Sequence, residues 1–281
     1  MHKAVEKRRH PILNMVSANL EAWFHSRRTL LMIVFAVMLC YLEVGNVLSM
    51  YSQGGNILNW GEVPYKFLEY GVNILMSSIL VFVMVSELPR QLPYQNYMLI
   101  RSNRRQWLTA QILYSFSIVL VVMLLLVICI QIFSLGYVDF NTGWSDSARI
   151  AADETLEYSS IVPRYVREHY IPFTAAFYAA LPLFSFWFTL AMIILLCSLM
   201  GSQLIGLVIC AFLLLAHFVG AYPLPYPVNF AIVQELNPDV YGPERYRITM
   251  AVYLVLNAAM ILTMYWRLSH TDLVFYAENK L

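Results

Sequence analysis

Residues 98–138 read MLIRSNRRQWLTAQILYSFSIVLVVMLLLVICIQIFSLGYV. Arg101, Arg104 and Arg105 stand directly before an apolar run, 107–138, that contains no charged residue. About twenty apolar residues suffice to cross the hydrocarbon core of a bilayer. The run therefore reads as a membrane-spanning helix that is longer than needed, so tilted or extending past the membrane. Its basic lead-in marks the cytoplasmic end by the positive-inside rule.

The same pattern repeats on both sides of this segment. Further spans are expected at 29–48, 66–85, 172–200, 203–222 and 248–268, which makes six with 107–138. The stretch 172–222 is too long for one crossing, and Met200-Gly201-Ser202-Gln203 is its only turn-like point. The expected fold is thus an all-α, six-span membrane domain occupying the whole chain, 1–281. Composition agrees. The 281 residues are 60% hydrophobic and 12% charged, against about a quarter charged in soluble domains. The basic N-terminus and the length of the first apolar run argue against a cleaved signal peptide. Cys40, Cys129, Cys197 and Cys210 all lie in apolar runs, where free cysteine acts as a small hydrophobe.

Charge orients the spans. With both termini in the cytoplasm, twelve Lys/Arg and five acids fall inside, a net of +7. Six Lys/Arg and twelve acids fall outside or at an outer helix end, a net of −6. The formal charge of +1 conceals this split and gives no sign of a nucleic-acid partner. Loop 139–171 is acidic and extracytoplasmic in this topology, with a short helix expected over 146–158. The Pro-rich stretch 222–247 contains an apolar middle, 228–236, able to re-enter the membrane. Loop 51–64 reads as irregular.

Before the first span, residues 10–28 form an amphipathic pattern. Leu13, Val16, Leu20, Trp23 and Phe24 take one face, and Asn14, Ser17, Glu21 and His25 the other. Such a helix lies in the headgroup plane, apolar face down. Trp23, Trp60, Trp107, Tyr170, Tyr222 and Trp266 fall near the expected interfaces, as an aromatic belt does.

Nucleotide-binding and hydrolase signatures are absent. There is no G-x-x-x-x-G-K-[ST], no His-Glu-x-x-His and no Gly-x-Ser-x-Gly in the sequence, and the motif chemistry they support is not expected. Polar residues within spans, above all Glu43, Asn73 and His217, are the candidates for a translocation path.

The six-span layout, the amphipathic N-terminal helix and the basic loop between spans two and three resemble the ABC-2-type permeases, membrane subunits of ATP-binding-cassette exporters. The likeness in motif rests on Glu87-Leu-Pro-Arg90, Tyr97-Met98-Leu99, Arg101-Ser102, Arg104-Arg105 and Trp107. The ending Trp266-Arg267-Leu268, then Asp272-Leu273, is also similar. Pro89 and Pro93 replace the family's usual Gly-Thr, so helix is expected from Pro93 onward.

The resemblance implies a coupling helix within Glu87–Ile100 that docks in a groove of a separate ATPase, with Glu87, Arg90, Arg101, Arg104 and Arg105 as the contacting residues. It implies two ATPase copies and a second permease, identical or related. ATP would bind the partner, with no cofactor, metal or catalytic residue on this chain. The location implied is the cell membrane of a bacterium, with surrounding lipid as a further partner. Two other readings fit the residues. One is an intramembrane enzyme drawing on His217, Glu43, Glu87 or His169. The other is a membrane sensor or immunity subunit that binds through loop 139–171.

Overall fold

The computed structural model describes residues 11–52, 58–69, 71–89, 103–145, 164–219 and 243–270. It is 86% helical. In chain order the elements are α1 (Pro11–Phe24), α2 (Arg27–Ser52), β1 (Leu58–Asn59), α3 (Glu62–Glu69), α4 (Gly71–Val85), α5 (Arg104–Ser134), β2 (Val138–Asp139), α6 (Arg164–His169), α7 (Pro172–Leu199), α8 (Gln203–Val219) and α9 (Pro243–His270).

Four helices are long and apolar enough to cross a membrane: α2, α5, α7 and α9. The α3–α4 pair makes a fifth only if counted across its bend, and the described part of α8 is shorter. Among the described residues, then, an all-α membrane architecture is present, with four helices of full spanning length.

The expected helix 66–85 is not continuous. It breaks between Glu69 and Gly71, and α3 lies at 81° to α4. A break frees backbone groups that lipid cannot satisfy. Asn73, fully buried, meets this need: its Nδ2 donates to the Phe67 carbonyl at 3.1 Å. The expected span 107–138 starts earlier and stops sooner. Arg104 and Arg105 form the first turn of α5, and Gln106 Oε1 accepts from the Asn103 backbone N–H at 3.1 Å. Helix ends at Ser134, and Gly136, at φ +91°, turns the chain into β2. The turn at 200–202 lies where the sequence places it, with Gly201 at φ +96°.

The helices alternate in direction. At one end, hereafter the Arg28 end, lie the starts of α2, α5 and α8. Here Thr109 Oγ1 and the Tyr265 hydroxyl share a 2.7 Å hydrogen bond between the start of α5 and the last turns of α9. At the other, the cap end, β1 pairs with β2 in a two-residue parallel bridge, Leu58 opposite Val138 and Asn59 opposite Asp139. Loop 51–64 is therefore partly ordered rather than wholly irregular. The region 146–158 and the proposed re-entrant 228–236 lie outside the described residues.

Helix α7 is the hub, packing against α3, α4, α5, α8 and α9. Over half of its most apolar window is buried, against about a fifth for α9. Ala175, Ala176 and Ala179 admit close neighbours, as small residues do where membrane helices pack. Gly206 does the same from α8: a Cβ there would stand 2.9 Å from Cys197 Cβ and 3.1 Å from Ile194 Cα. Across the core, Trp187 Nε1 donates to Ser78 Oγ at 2.8 Å and Asn257 Nδ2 to Thr189 Oγ1 at 3.0 Å. Outward faces remain apolar, as on α2 at Leu31, Phe35, Met38 and Leu42. A soluble protein rarely shows such continuous apolar surface.

The N-terminal helix forms, but its buried face differs from the one read in the sequence. Met15, Val16, Asn19 and Trp23 are buried, and α1 packs on α5. Leu13 and Phe24 are exposed. Packing against the neighbouring helix selects the buried stripe. Trp23 and Trp107 are likewise core residues, at 3% and 2% exposure, and not belt residues.

Candidate functional site

Two polar constellations stand out, one at each end of the bundle. At the Arg28 end, the segment following α4 is held from two sides. Arg28, in the first turn of α2, donates through Nη1 to Glu87 Oε1 at 2.8 Å. Its Nη2 donates to Ser86 Oγ and to the Val83 carbonyl. From the other side, Gln203, the first residue of α8, donates through Nε2 to the Ser86 carbonyl at 2.7 Å and the Leu88 carbonyl at 3.1 Å. The start of α2 is itself fixed, since Ser26 Oγ accepts from the Thr29 backbone N–H. One short stretch, Ser86–Leu88, thus ties α4 to α2 and α8. Leu88 is buried at 1% exposure, so the stretch is seated as well as tethered.

Of the residues expected to contact an ATPase, three are described. Glu87 is in the clamp, and Arg104 and Arg105 are exposed in the first turn of α5. Arg90 and Arg101 lie outside the described residues, as does the expected helix from Pro93.

At the cap end, α3 lies across the bundle and carries two nearly fully buried charges one turn apart. Glu62 is 1% exposed and Lys66 2%. Ser145 donates to Glu62 twice, from its backbone N–H to Oε1 and from Oγ to Oε2, the latter at 2.7 Å. The preceding strand residue, Asn59, donates from Nδ2 to the Asn141 and Gly143 carbonyls. Trp144 Nε1 donates to the Tyr170 carbonyl at 2.8 Å. Residues 139–145 are therefore fastened over α3.

Gly61 lets the chain enter this cap. A Cβ there would meet the Phe173 nitrogen at 2.7 Å and Pro172 Cβ at 2.9 Å. Trp60 stacks on Phe173, centroids 5.1 Å apart, and its carbonyl accepts from Gln131 Nε2 at 3.1 Å.

The expected path residues are not brought together. Glu43 is partly exposed on α2, where Asn46 Nδ2 reaches its Oε2 at 3.4 Å. Asn73 caps α3 from within α4. His217 lies on α8, and its side chain is outside the described residues. Glu43 and Glu87 are far apart, because Glu87 pairs with Arg28 and fifteen helical residues of α2, roughly 22 Å, separate Arg28 from Glu43. His169 ends α6 at the cap end. Three buried amide oxygens, Asn73 Oδ1, Gln111 Oε1 and Asn257 Oδ1, accept no hydrogen bond.

The sequence reading missed Arg28, Gln203, Glu62, Lys66 and Ser145 as structural determinants. Glu62 and Lys66 carried a faint signal, a charge pair at i, i+4 beside an apolar stretch. Among the described residues no cluster of three or more His, Cys, Asp or Glu is placed to hold a metal ion. Comparison with protein-family models, curated proteins and solved structures finds no match.

Proposed function

We propose that this chain is the permease subunit of an ATP-binding-cassette exporter, driven by a separate ATPase and paired with a second permease. The observation that supports this reading is the clamp on Ser86–Leu88. A force applied to the segment 87–105 is delivered at once to α4, through the chain, and to α2 and α8, through Arg28 and Gln203. The far side of the segment enters α5 through the exposed Arg104 and Arg105. Four helices then move as one rigid group, which is the kind of interface-driven displacement that switching proteins use.

In this reading Arg101, Arg104 and Arg105 meet acidic residues on the ATPase, and Arg90 flanks them. Six spans, with α3–α4 and a longer α8 as the two not shown at full length, form half of a pathway. The Arg28 end faces the cytoplasm and the cap end faces outward, following the charge split. Movement of an amphiphilic substrate between the two permeases is the activity proposed.

Affinity purification in mild detergent with mass spectrometry tests the partner. The expected result is a soluble ATPase with a phosphate-binding loop, recovered several-fold less well with Arg101→Glu or Arg104→Glu at equal membrane insertion. Recovery of no ATPase from native membranes, or recovery indifferent to both reversals, sinks the proposal.

A further inference from the structure

Between α5 and α7 runs a groove of about 420 Å³. Its walls are the α5 stretch 116–131 and the α7 stretch 173–187. At 1.5 Å rise per residue each wall is roughly 20 Å long. Phe67 of α3 lines it from the cap end, so the half-helix forms its roof.

The groove is deep on one side and open on the other. Leu126 and Leu183 on its floor are buried, at 3% and 1% exposure, whereas Leu120, Leu124 and Phe177 on its rim are exposed. The opening therefore joins the apolar perimeter of the bundle. Three lining side chains carry polar groups: Ser77, Gln131 and Trp187. Ser77 Oγ donates to the Asn73 carbonyl at 2.6 Å, Gln131 Nε2 to the Trp60 carbonyl and Trp187 Nε1 to Ser78 Oγ. All three are engaged within the protein, so the lining offers water few partners.

A cavity of about 150 Å³ lined by Leu, Ile and Phe takes up benzene, and this groove is nearly three times larger and elongated. Its opening lies on the exposed apolar perimeter, which surrounding lipid covers, so a flexible hydrocarbon chain suits its length, its lining and its access.

We propose that the α5–α7 groove binds one acyl chain of a bilayer phospholipid, admitted sideways from the membrane beneath α3. The proposal stands on shape and lining and does not depend on the permease reading.

The test uses the full chain in phosphatidylcholine–phosphatidylglycerol vesicles doped with a phosphatidylcholine bearing a diazirine in its acyl chain. Adducts are mapped by mass spectrometry after irradiation. The outward stripe of α2 (Leu31, Phe35, Met38 and Leu42) reports ordinary contact with surrounding lipid. The groove stretches are expected to label several-fold more than that stripe. Unlabelled phospholipid competes equally at both places, so both signals scale with probe content and the groove-to-stripe ratio is the readout. In Ala180→Trp, which fills the groove, that ratio is expected to drop several-fold. If that variant fails to fold, the ratio in the natural chain still decides. A ratio near one in the natural chain, or a ratio unchanged in a folded Ala180→Trp, overturns the proposal.

Discussion

Arg28 and Glu87, fifty-nine positions apart in the chain, meet in an ion pair of 2.8 Å that joins the start of α2 to the segment leaving α4. Both side chains are more than a third exposed, at 37% and 46%. The pair by itself is therefore a weak source of stability, typically about 0–1 kcal/mol. Its importance is geometric, because the same guanidinium also holds Ser86 and the Val83 carbonyl.

The two ends of this pair should respond differently to mutation. Glu87→Gln removes one partner and is expected to shift stability by less than about 1 kcal/mol. Arg28→Ala removes every bond from α2 to the Val83–Glu87 stretch and is expected to lose about 1–3 kcal/mol. Denaturant unfolding in detergent, read by tryptophan fluorescence, compares them. Equal losses for the two variants would show that the backbone and Ser86 contacts contribute nothing.

Glycine substitutions separate close packing from open helix. Gly206→Ala drives a methyl into Cys197 and Ile194 and should destabilise by roughly 1–3 kcal/mol. Gly61→Ala meets backbone atoms of Pro172 and Phe173 and should do at least as much harm. Gly45, mid-α2, has nothing within 4 Å of a built Cβ. There Ala should stabilise by about 0.5–1 kcal/mol through helix propensity. The same unfolding measurement tests all three, and a stabilising Gly206→Ala would disprove the α7–α8 contact.

The cap should loosen when Glu62 is shortened. Glu62→Ala leaves the Ser145 amide without its acceptor, at a penalty of about 1–3 kcal/mol for a buried hydrogen-bonded group. Hydrogen exchange at residues 138–145 should then accelerate about tenfold or more. Glu62→Gln keeps an oxygen for the amide and should exchange nearly as slowly as the natural chain. Unchanged exchange in Glu62→Ala would show that the cap is held elsewhere.

The charge split of +7 against −6 predicts a membrane orientation that labelling can test. Asn103→Cys in a cysteine-free background is expected to resist an impermeant maleimide in intact cells and to react after permeabilisation. Thr142→Cys, in the segment fastened over α3, is expected to behave in the opposite way. The reverse pattern places the Arg28 end outside.

The membrane class was legible in composition and in the uninterrupted run 107–138, because burial in lipid demands long apolar stretches and little else. The turn at Gly201 was legible too, since a glycine between two apolar runs is the natural place for a positive φ. What the sequence could not disclose was anything decided by a neighbour. The stripe of α1 that is buried depends on α5, because Leu13 and Val16 are equally apolar and only contact chooses Val16. The break at 69–71 is sustained by Asn73 from the next helix, and hydropathy sees only an apolar run there. Nothing in the sequence singles out Arg28 or Glu62, since a charge read alone carries no record of its partner. Tertiary structure supplied Ser86, Glu87 and Ser145 from distant chain positions, and those pairings made one charge a clamp and the other the fastening of a cap.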